Sequence, residues 1–326
     1  MRDFLISSNW WIEGEEAFFW SMPSGVLFQV NIATCQCEFL TRIPKYDTAK
    51  CNGVVYCQKY EGRLYCFPYD KEKIYIYDLK SSVWEESKFI CEVPLMFNPR
   101  AYRNEVNEIW ILEHKNKGIF QVSLAQKKVI RQYMIPRVED ICNGQYVLVH
   151  NQLYYITGSS VGCIDNERQT NVLYDIEGIT FQLYTICHDG RNFWLSGADD
   201  KIFIWNPMQG VVKVITDILQ GHELPDFEKK WIVPEVPLFN DSILLGEYIW
   251  YIPIQDDAPV LYIHKDNHNV QIMKISEEKE TEKTLRQREN AFKYRVVYVR
   301  KDRYIGVYSI KNQSIFEIDT KELLVK

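Results

Sequence analysis

The stretch HDGRNFWLSGADDKIFIWN, residues 188–206, shows most clearly how this chain folds. The pair Asp189-Gly190 is typical of a tight turn, and the apolar run Phe193-Trp194-Leu195 follows it. Polar residues 196–201 then lead into a second apolar run, Ile202–Asn206. Short runs rich in Trp, Phe and Ile, separated by turn residues, predict antiparallel β-strands.

The same unit recurs along the chain with a period of about 48 residues. In each copy a strand leads into a turn, an apolar-aromatic strand follows the turn, and another apolar strand comes about ten residues later. The strand after the turn carries, in seven successive copies, Phe19, Tyr65, Trp110, Tyr154, Trp194, Trp250 and Ile305. A period of roughly 40–50 residues is that of a four-stranded propeller blade.

The repeat therefore predicts an all-β protein, a seven-bladed β-propeller of four-stranded antiparallel blades, with residues 1–326 as a single domain. One blade is a twisted sheet with two apolar faces, and stacking blades around an axis covers both faces. We predict residues 6–12 as the first blade's inner strand and residues 322–326 as the last blade's outer strand. The ring would then close by blade-on-blade packing, without strand exchange between the termini.

Two insertions interrupt the repeat, around residues 211–239 and 276–292. The first contains an apolar stretch followed by Glu223-Leu224-Pro225-Asp226. The second is rich in Glu and Lys, and its mixed charge predicts a solvated, capped helix.

Composition limits the partners and the compartment. Hydrophobic residues make up 46% of the 326 residues, which is enough for a large core. The net charge is −6 without a long basic run, so we expect no nucleic-acid partner. No apolar window is long enough for a membrane helix or a secretory signal, so we expect a soluble, cytoplasmic protein with no membrane partner. The nine cysteines, an odd number without disulfide-framework spacing, favour a reducing compartment.

Two segments resemble known propeller repeats. Tyr77-Asp78-Leu79 followed by Val83-Trp84 is similar to the tyrosine-to-tryptophan half of a kelch unit, although the chain lacks the kelch Gly-Gly doublet. Residues 196–206 resemble the end of a WD40 repeat, in the fifth copy alone. At the level of the fold, the chain thus resembles the broad superfamily of kelch-like and galactose-oxidase-like propellers. That fold carries enzymes, scaffolds and lectins, so the resemblance implies an architecture and no single function.

The histidines do not form a recognisable site. His264 and His268 have the i, i+4 spacing of helical zinc ligands, but they lie at a strand end and turn, where that spacing does not bring them together. His188 precedes Asp189-Gly190, and we interpret this triplet as part of a hairpin turn and not as a catalytic group. We therefore predict no metal site.

Two pairs of cysteines are candidates for metal binding or redox chemistry. Cys57 and Cys66 are equidistant from Glu61-Gly62, so a two-residue loop there would place the thiols opposite each other. We predict packed thiols, because metal binding would need further ligands that the sequence does not identify. Cys35-Gln36-Cys37 lacks the CxxC spacing of redox sites. No phosphate loop, nucleophile elbow or HExxH motif is present, so we predict no cofactor and no catalytic residue.

Topology indicates where a ligand would bind. The tight turns between first and second strands lie at one end of the blades, here called the turn face. The connections from second to third strand and from blade to blade lie at the opposite end, the loop face, where we expect the binding site at the channel mouth. The predicted pocket residues lie at or just before innermost strands: Asn98, Arg100, Arg137, Asn240 and Arg295. Arginine and asparagine donors would suit an anionic or carbonyl-bearing ligand. The alternative is that these groups form a solvated rim.

These observations favour a non-enzymatic binding or interaction module that recognises a protein, peptide or glycan on its loop face and channel mouth. The alternative is a propeller enzyme of the lyase, isomerase or glycosidase type, with a polar site at the channel mouth. Paired carboxylates and a histidine within hydrogen-bond reach of each other would favour the enzyme.

Overall fold

The computed structural model describes residues 10–13, 16–21, 25–31, 34, 36–44, 54–68, 73–88, 97–105, 107–113, 118–135, 145–221, 237–254, 259–273, 294–300, 303–309 and 314–325. The chain divides into two compact units, Met1–Ile135 and Pro136–Lys326. Both units consist of short strands joined by turns, as the alternation of apolar runs and turn residues predicts.

The described residues of the first unit form twelve strands, numbered along the chain: β1 (Trp10–Glu13), β2 (Glu16–Ser21), β3 (Val26–Asn31), β4 (Gln36–Arg42), β5 (Val54–Tyr60), β6 (Arg63–Pro68), β7 (Lys73–Asp78), β8 (Val83–Lys88), β9 (Phe97–Glu105), β10 (Glu108–Glu113), β11 (Gly118–Ser123) and β12 (Lys128–Met134). In the described part of the second unit there are sixteen: β13 (Tyr146–Val149), β14 (Gln152–Thr157), β15 (Ser160–Asp165), β16 (Thr170–Asp175), β17 (Leu183–His188), β18 (Phe193–Gly197), β19 (Ile202–Asn206), β20 (Gly210–Ile215), β21 (Phe239–Leu245), β22 (Tyr248–Pro253), β23 (Val260–His264), β24 (Val270–Met273), β25 (Tyr294–Arg300), β26 (Tyr304–Ser309), β27 (Ser314–Asp319) and β28 (Leu324–Val325).

These strands form seven four-stranded antiparallel sheets, each built from four consecutive strands, from β1–β4 to β25–β28. The prediction of a seven-bladed β-propeller with four-stranded antiparallel blades is confirmed. Within each unit the first strands of successive sheets lie side by side, as β5 does with β9 and β17 with β21. The first strands therefore form the inner layer, and the fourth strands are the outer edges.

The core lies between neighbouring sheets. Trp110, Trp194 and Trp250 occupy equivalent places in the second strands of their sheets, and all three are fully buried. In the second unit, β18 is buried along its whole length. The outer strand β8, in the first unit, is exposed or half-buried at every position. The marker residues of the repeat whose burial the structure describes, Tyr65, Trp110, Tyr154, Trp194, Trp250 and Ile305, are all core residues, as packing against the next sheet requires.

The hairpin between β5 and β6 shows how local sequence sets the register. Glu61 and Gly62 form its two-residue loop with φ of 48° and 71°, the positive values of a type I′ turn. This loop places Cys57 opposite Cys66, with a Sγ–Sγ distance of 3.8 Å. The prediction that the two thiols face each other is confirmed.

Several boundaries differ from the sequence-based expectation. The described part of the first inner strand is Trp10–Glu13, and the last outer strand is Leu324–Val325. Residues 210–215 form β20 and Phe239 begins β21, so the first insertion is shorter than expected, because its Val and Ile residues pair with β19. The predicted helix at 276–292 lies outside the described residues. In the described ranges we find no helix whose length and apolar character would let it cross a membrane.

Candidate functional site

Four polar residues meet where the inner strands of the second unit begin. They are Gln145, which directly precedes β13, and Asn240, Asp241 and Ser242, at the start of β21. We call this group the inner polar cluster. Both strands start after a connection between sheets, so the cluster lies on the loop face, where the sequence predicts the binding site.

The side chain of Gln145 connects three inner strands. Its Oε1 accepts hydrogen bonds from the Ser242 amide at 3.0 Å, the Ser242 hydroxyl at 2.9 Å and the Ile186 amide of β17 at 3.2 Å. Its Nε2 donates to Asp241 Oδ1 at 3.2 Å. The backbone amide of Gln145 also donates to the Tyr184 carbonyl at 2.9 Å. One glutamine therefore fixes the relative positions of β13, β17 and β21.

A β-bulge places Asn240 in this cluster. Phe239 pairs with Pro253 and Asp241 pairs with Ile252, so Asn240 is the extra residue of β21. In β17 the extra residue is Tyr184, whose carbonyl binds Gln145. Bulges re-aim side chains and are frequent near functional sites. Asn240 is 3% exposed, and its Nδ2 donates to Asp241 Oδ2 at 3.1 Å.

The structure describes the five residues predicted for the loop-face pocket to different extents. Asn240 lies in the inner polar cluster. Asn98 and Arg100 lie on β9 and Arg295 on β25, both of which are first strands of their sheets, but their side chains are outside the described part. Arg137 lies outside the described residues. The expected pocket formed by all five side chains remains a prediction.

A second polar region lies on the turn face of the fifth and sixth sheets. A cavity of about 540 Å³, here called the turn-face pocket, is formed by three turns and by β19 and β20. Its charged lining residues are Asp189, Arg191, Lys213, Glu247, Lys265 and Asp266, together with His268. The sequence predicts the binding site on the opposite face and only turns in this region.

Asp189 organises one wall of the turn-face pocket. It begins the four-residue turn between β17 and β18, and its Oδ1 accepts hydrogen bonds from the backbone amides of Arg191 and Asn192, both at 2.7 Å. Its Oδ2 accepts a hydrogen bond from the indole Nε1 of Trp194 at 2.7 Å. The sequence-based interpretation of Asp189 as a turn residue agrees with this geometry.

His268 and Lys213 form another wall. Lys213 Nζ lies 3.0 Å from His268 Nδ1, and the imidazole packs 5.7 Å from the Trp194 ring. Burial, followed by the charge of Lys213, lowers the pKa of His268 below its ordinary value. His268 is therefore neutral at pH 7 and accepts a hydrogen bond from the lysine ammonium.

The donor atoms of Glu247, His264 and Asp266 lie within 4.8 Å of one another. Such a set could hold a divalent cation, but two contacts oppose it. The Nδ1 of His264 accepts the backbone amide of Asp266 at 3.2 Å, so in the neutral ring Nε2 carries the proton. Glu247 Oε2 already pairs with Lys265 Nζ at 3.0 Å. The prediction that His264 and His268 do not form a metal site stays a prediction.

Comparison with solved structures reveals the same fold in proteins of low sequence identity. A selenomethionine-substituted virginiamycin B lyase from Staphylococcus aureus has a TM-score of 0.67 at 11% identity, covering 97% of this chain and 94% of that one. A catalytically inactive variant of that enzyme with quinupristin has a TM-score of 0.65 at 10% identity, covering 97% and 95%. BamB from Moraxella catarrhalis has a TM-score of 0.58 at 11% identity, covering 93% and 81%.

No family model matches the sequence, and no curated protein matches it. The structural neighbours support the β-propeller fold, and at these identities they establish the fold alone. One neighbour is a lyase and another is BamB, and the shared fold by itself decides no function.

Proposed function

We propose that this chain is a non-enzymatic binding module that recognises a protein, peptide or glycan through its loop face and channel mouth. The observation that carries the proposal is the position of Gln145, whose amide joins the starts of three inner strands. A platform that is already rigid loses little conformational entropy when a ligand binds. The inner strands thus offer fixed donors and acceptors to a ligand at the channel mouth.

The chemistry of the inner polar cluster supports binding over catalysis. It consists of two amides, one hydroxyl and one carboxylate, which recognise ligands by hydrogen bonds. Proton transfer at neutral pH needs a group whose pKa is tuned near 7. Both oxygens of Asp241, the only carboxylate in the cluster, accept hydrogen bonds from the amides of Gln145 and Asn240. Both oxygens of this carboxylate are therefore engaged as acceptors, which suits recognition by hydrogen bonds.

The proposed ligand carries an anionic or carbonyl group. Arg100 and Arg295 lie on first strands, β9 and β25, and Arg137 precedes the fourth sheet. Arginine binds carboxylates and carbonyls through a planar array of donors. Peptides and many glycans present such groups at their surfaces.

Peptide and glycan arrays probed with the purified chain test this proposal. We expect bound probes whose affinity falls in the variants Arg100→Ala and Arg295→Ala by about 1.5–3 kcal/mol for each charged hydrogen bond lost. Surface plasmon resonance measures the affinity, and thermal unfolding shows that the variants still fold. Arg168→Ala, in the turn between β15 and β16 and with a side chain that is 82% exposed, is the matched control and should bind like the original chain.

Two outcomes would contradict the proposal. One is equal affinity for the original chain and both arginine variants. The other is chemical conversion of a bound peptide or glycan, detected by mass spectrometry, which would favour the lyase, isomerase or glycosidase alternative.

A kelch-like origin and a cytoplasmic location belong to the same proposal. The rings of Tyr77 and Trp84, which carry the kelch resemblance, pack with centroids 4.9 Å apart. Trp84 Nε1 also donates to Thr41 Oγ1 of the preceding sheet at 3.0 Å. This packing supports the resemblance of the pair to the tyrosine and tryptophan of a kelch unit.

The free, buried thiols of Cys57, Cys66, Cys163 and Cys187 support a reducing compartment.

A further inference from the structure

The turn-face pocket contains two cations that no carboxylate of the described residues pairs with. Arg191 lies in the turn between β17 and β18, and Lys213 lies on β20. Throughout the part of the chain that the structure describes, neither makes an ion pair, and Lys213 instead donates to the neutral ring of His268. Two positive side chains thus face one cavity with free donor capacity.

Most of the acidic groups around the cavity already have partners. Asp189 accepts two backbone amides and one indole N–H, so its oxygens are engaged in holding the turn. Glu247 pairs with Lys265. Asp266 is the remaining carboxylate of the lining. With the Glu247–Lys265 pair set aside, the lining holds two cations, Arg191 and Lys213, and two carboxylates, Asp189 and Asp266, so its charges balance. The two cations keep hydrogen-bond donors for a ligand, whereas both oxygens of Asp189 already accept hydrogen bonds.

The shape of the cavity suits a small group. Its volume of about 540 Å³ lies in the ordinary range of small-molecule pockets. Ile204, which is 1% exposed, and Val212 provide apolar lining next to the charged residues. In small-molecule pockets, well-placed polar groups beside an apolar lining fix the orientation of the ligand.

His268 adds a donor that depends on the ligand. Lys213 and His264 disfavour the imidazolium, whereas Asp189 and Asp266 favour it, and burial lowers the pKa most. An anion beside Lys213 would offset the repulsion between the ammonium and the imidazolium. Anion binding would then raise the pKa of His268 and add an N–H donor to the site.

We propose that the turn-face pocket binds an oxyanion, held between Arg191 and Lys213 and assisted by His268. Carboxylate and phosphoryl groups share this chemistry, and both form charge-assisted hydrogen bonds with arginine and lysine. This site is separate from the loop-face site of the proposed function, and its ligand needs no contact with the inner polar cluster.

The test is an NMR titration of the ¹⁵N-labelled chain with sodium acetate and, in parallel, inorganic phosphate, at pH 7 and constant ionic strength. The reporter is the Trp194 indole N–H, which binds Asp189 and packs on His268. The spectrum of Trp194→Phe assigns its signal among the nine tryptophans. We expect a saturable shift of this signal with at least one probe, and the tighter probe identifies the preferred oxyanion.

The variants Arg191→Gln and Lys213→Gln should each weaken the binding by about tenfold or more, because each removes a charge-assisted hydrogen bond. Lys201→Gln, at the loop-face end of the same sheet, is the control and should leave the titration unchanged. The other indole signals show whether each variant keeps its fold. A Trp194 signal that does not saturate with either probe, or that saturates equally in Lys213→Gln, would overturn the proposal.

Discussion

At the scale of single residues, Gln145 connects three inner strands through its side chain and backbone amide. Its one carbonyl oxygen accepts hydrogen bonds from β17 and β21, although the residue itself precedes β13. The amides of Ile186 and Ser242 depend on this oxygen as their acceptor. The hydrogen bonds of this glutamine, which directly precedes the fourth sheet, therefore link that sheet to the fifth and sixth sheets.

We expect Gln145→Leu to lower the free energy of unfolding by at least about 2 kcal/mol, since it leaves two backbone amides without their acceptor. Urea unfolding of the purified protein measures this change. Gln209→Leu, in the exposed turn between β19 and β20, is the control and should cost less than about 0.5 kcal/mol. Equal losses in the two variants would mean that Gln145 does not connect the strands in solution.

Some of the site could be predicted from the sequence and some could not. The position of Asn240 at the start of an inner strand follows from the repeat. Its contacts do not, because they depend on a bulge of one residue in β21 and on Gln145, whose partner Ser242 lies 97 residues away. Neither the bulge nor the contact with Gln145 produces a local pattern in the sequence. The turn-face pocket was missed for a similar reason, since Lys213 and His268 are 55 residues apart.

At the scale of elements, the end of the third strand is the most regular feature of the blades. In each of the seven described sheets, the last residue of that strand accepts a hydrogen bond from a backbone amide of the following turn: Asn31, Asp78, Ser123, Asp165, Asn206, His264 and Asp319. Such side-chain caps hold tight turns in place. The polar residues are visible in the sequence, so this element could have been predicted.

Two of these caps make stability depend on pH. The backbone amide of Ser81 is the first cause of the lowered pKa of Asp78, and the backbone amide of Arg168 is the first cause for Asp165. Because the folded pKa values lie below the unfolded value of about 4, the stabilisation is complete above pH 4. It is lost as the pH falls through the folded pKa values.

We therefore expect the double variant Asp78→Asn, Asp165→Asn to lose less stability than the original chain between pH 5 and pH 2.5. Asparagine keeps the acceptor oxygen, as Asn31 and Asn206 do naturally, but has no proton to gain. Urea midpoints across this pH range provide the measurement. The same pH dependence in both proteins would show that these two carboxylates are not charged caps.

At the scale of the whole molecule, the fold could be predicted because the same local pattern of strands and turns recurs seven times in the sequence. The tryptophans of the repeat pack where expected, and each described sheet consists of four consecutive strands. The strand limits around β20 were wrong because Val211 and Val214 pair with Trp205 and Phe203 of β19, and this pairing is not visible in the sequence.

The oxidation state of the molecule gives a further prediction. Cys57 and Cys66 lie 3.8 Å apart and are both buried as free thiols. We expect thiol titration of denatured, unreduced protein to find close to all nine cysteines free. A result about two thiols lower, with Cys57 and Cys66 linked in a peptide map, would contradict the cytoplasmic part of the proposed function.

The construction of every sheet from four consecutive strands also orders events during synthesis. The fourth sheet has all its strands once Asp175 has been translated, and its backbone hydrogen bonds can form without any later residue. Tyr154 and Ile156, however, pack against Phe193 and Leu195 of the next sheet. Each nascent blade thus completes its hydrogen bonds before its leading apolar face is covered. During synthesis, the newest complete blade therefore exposes one apolar face until the next blade has formed. A ribosome-associated chaperone would bind the growing chain at that face.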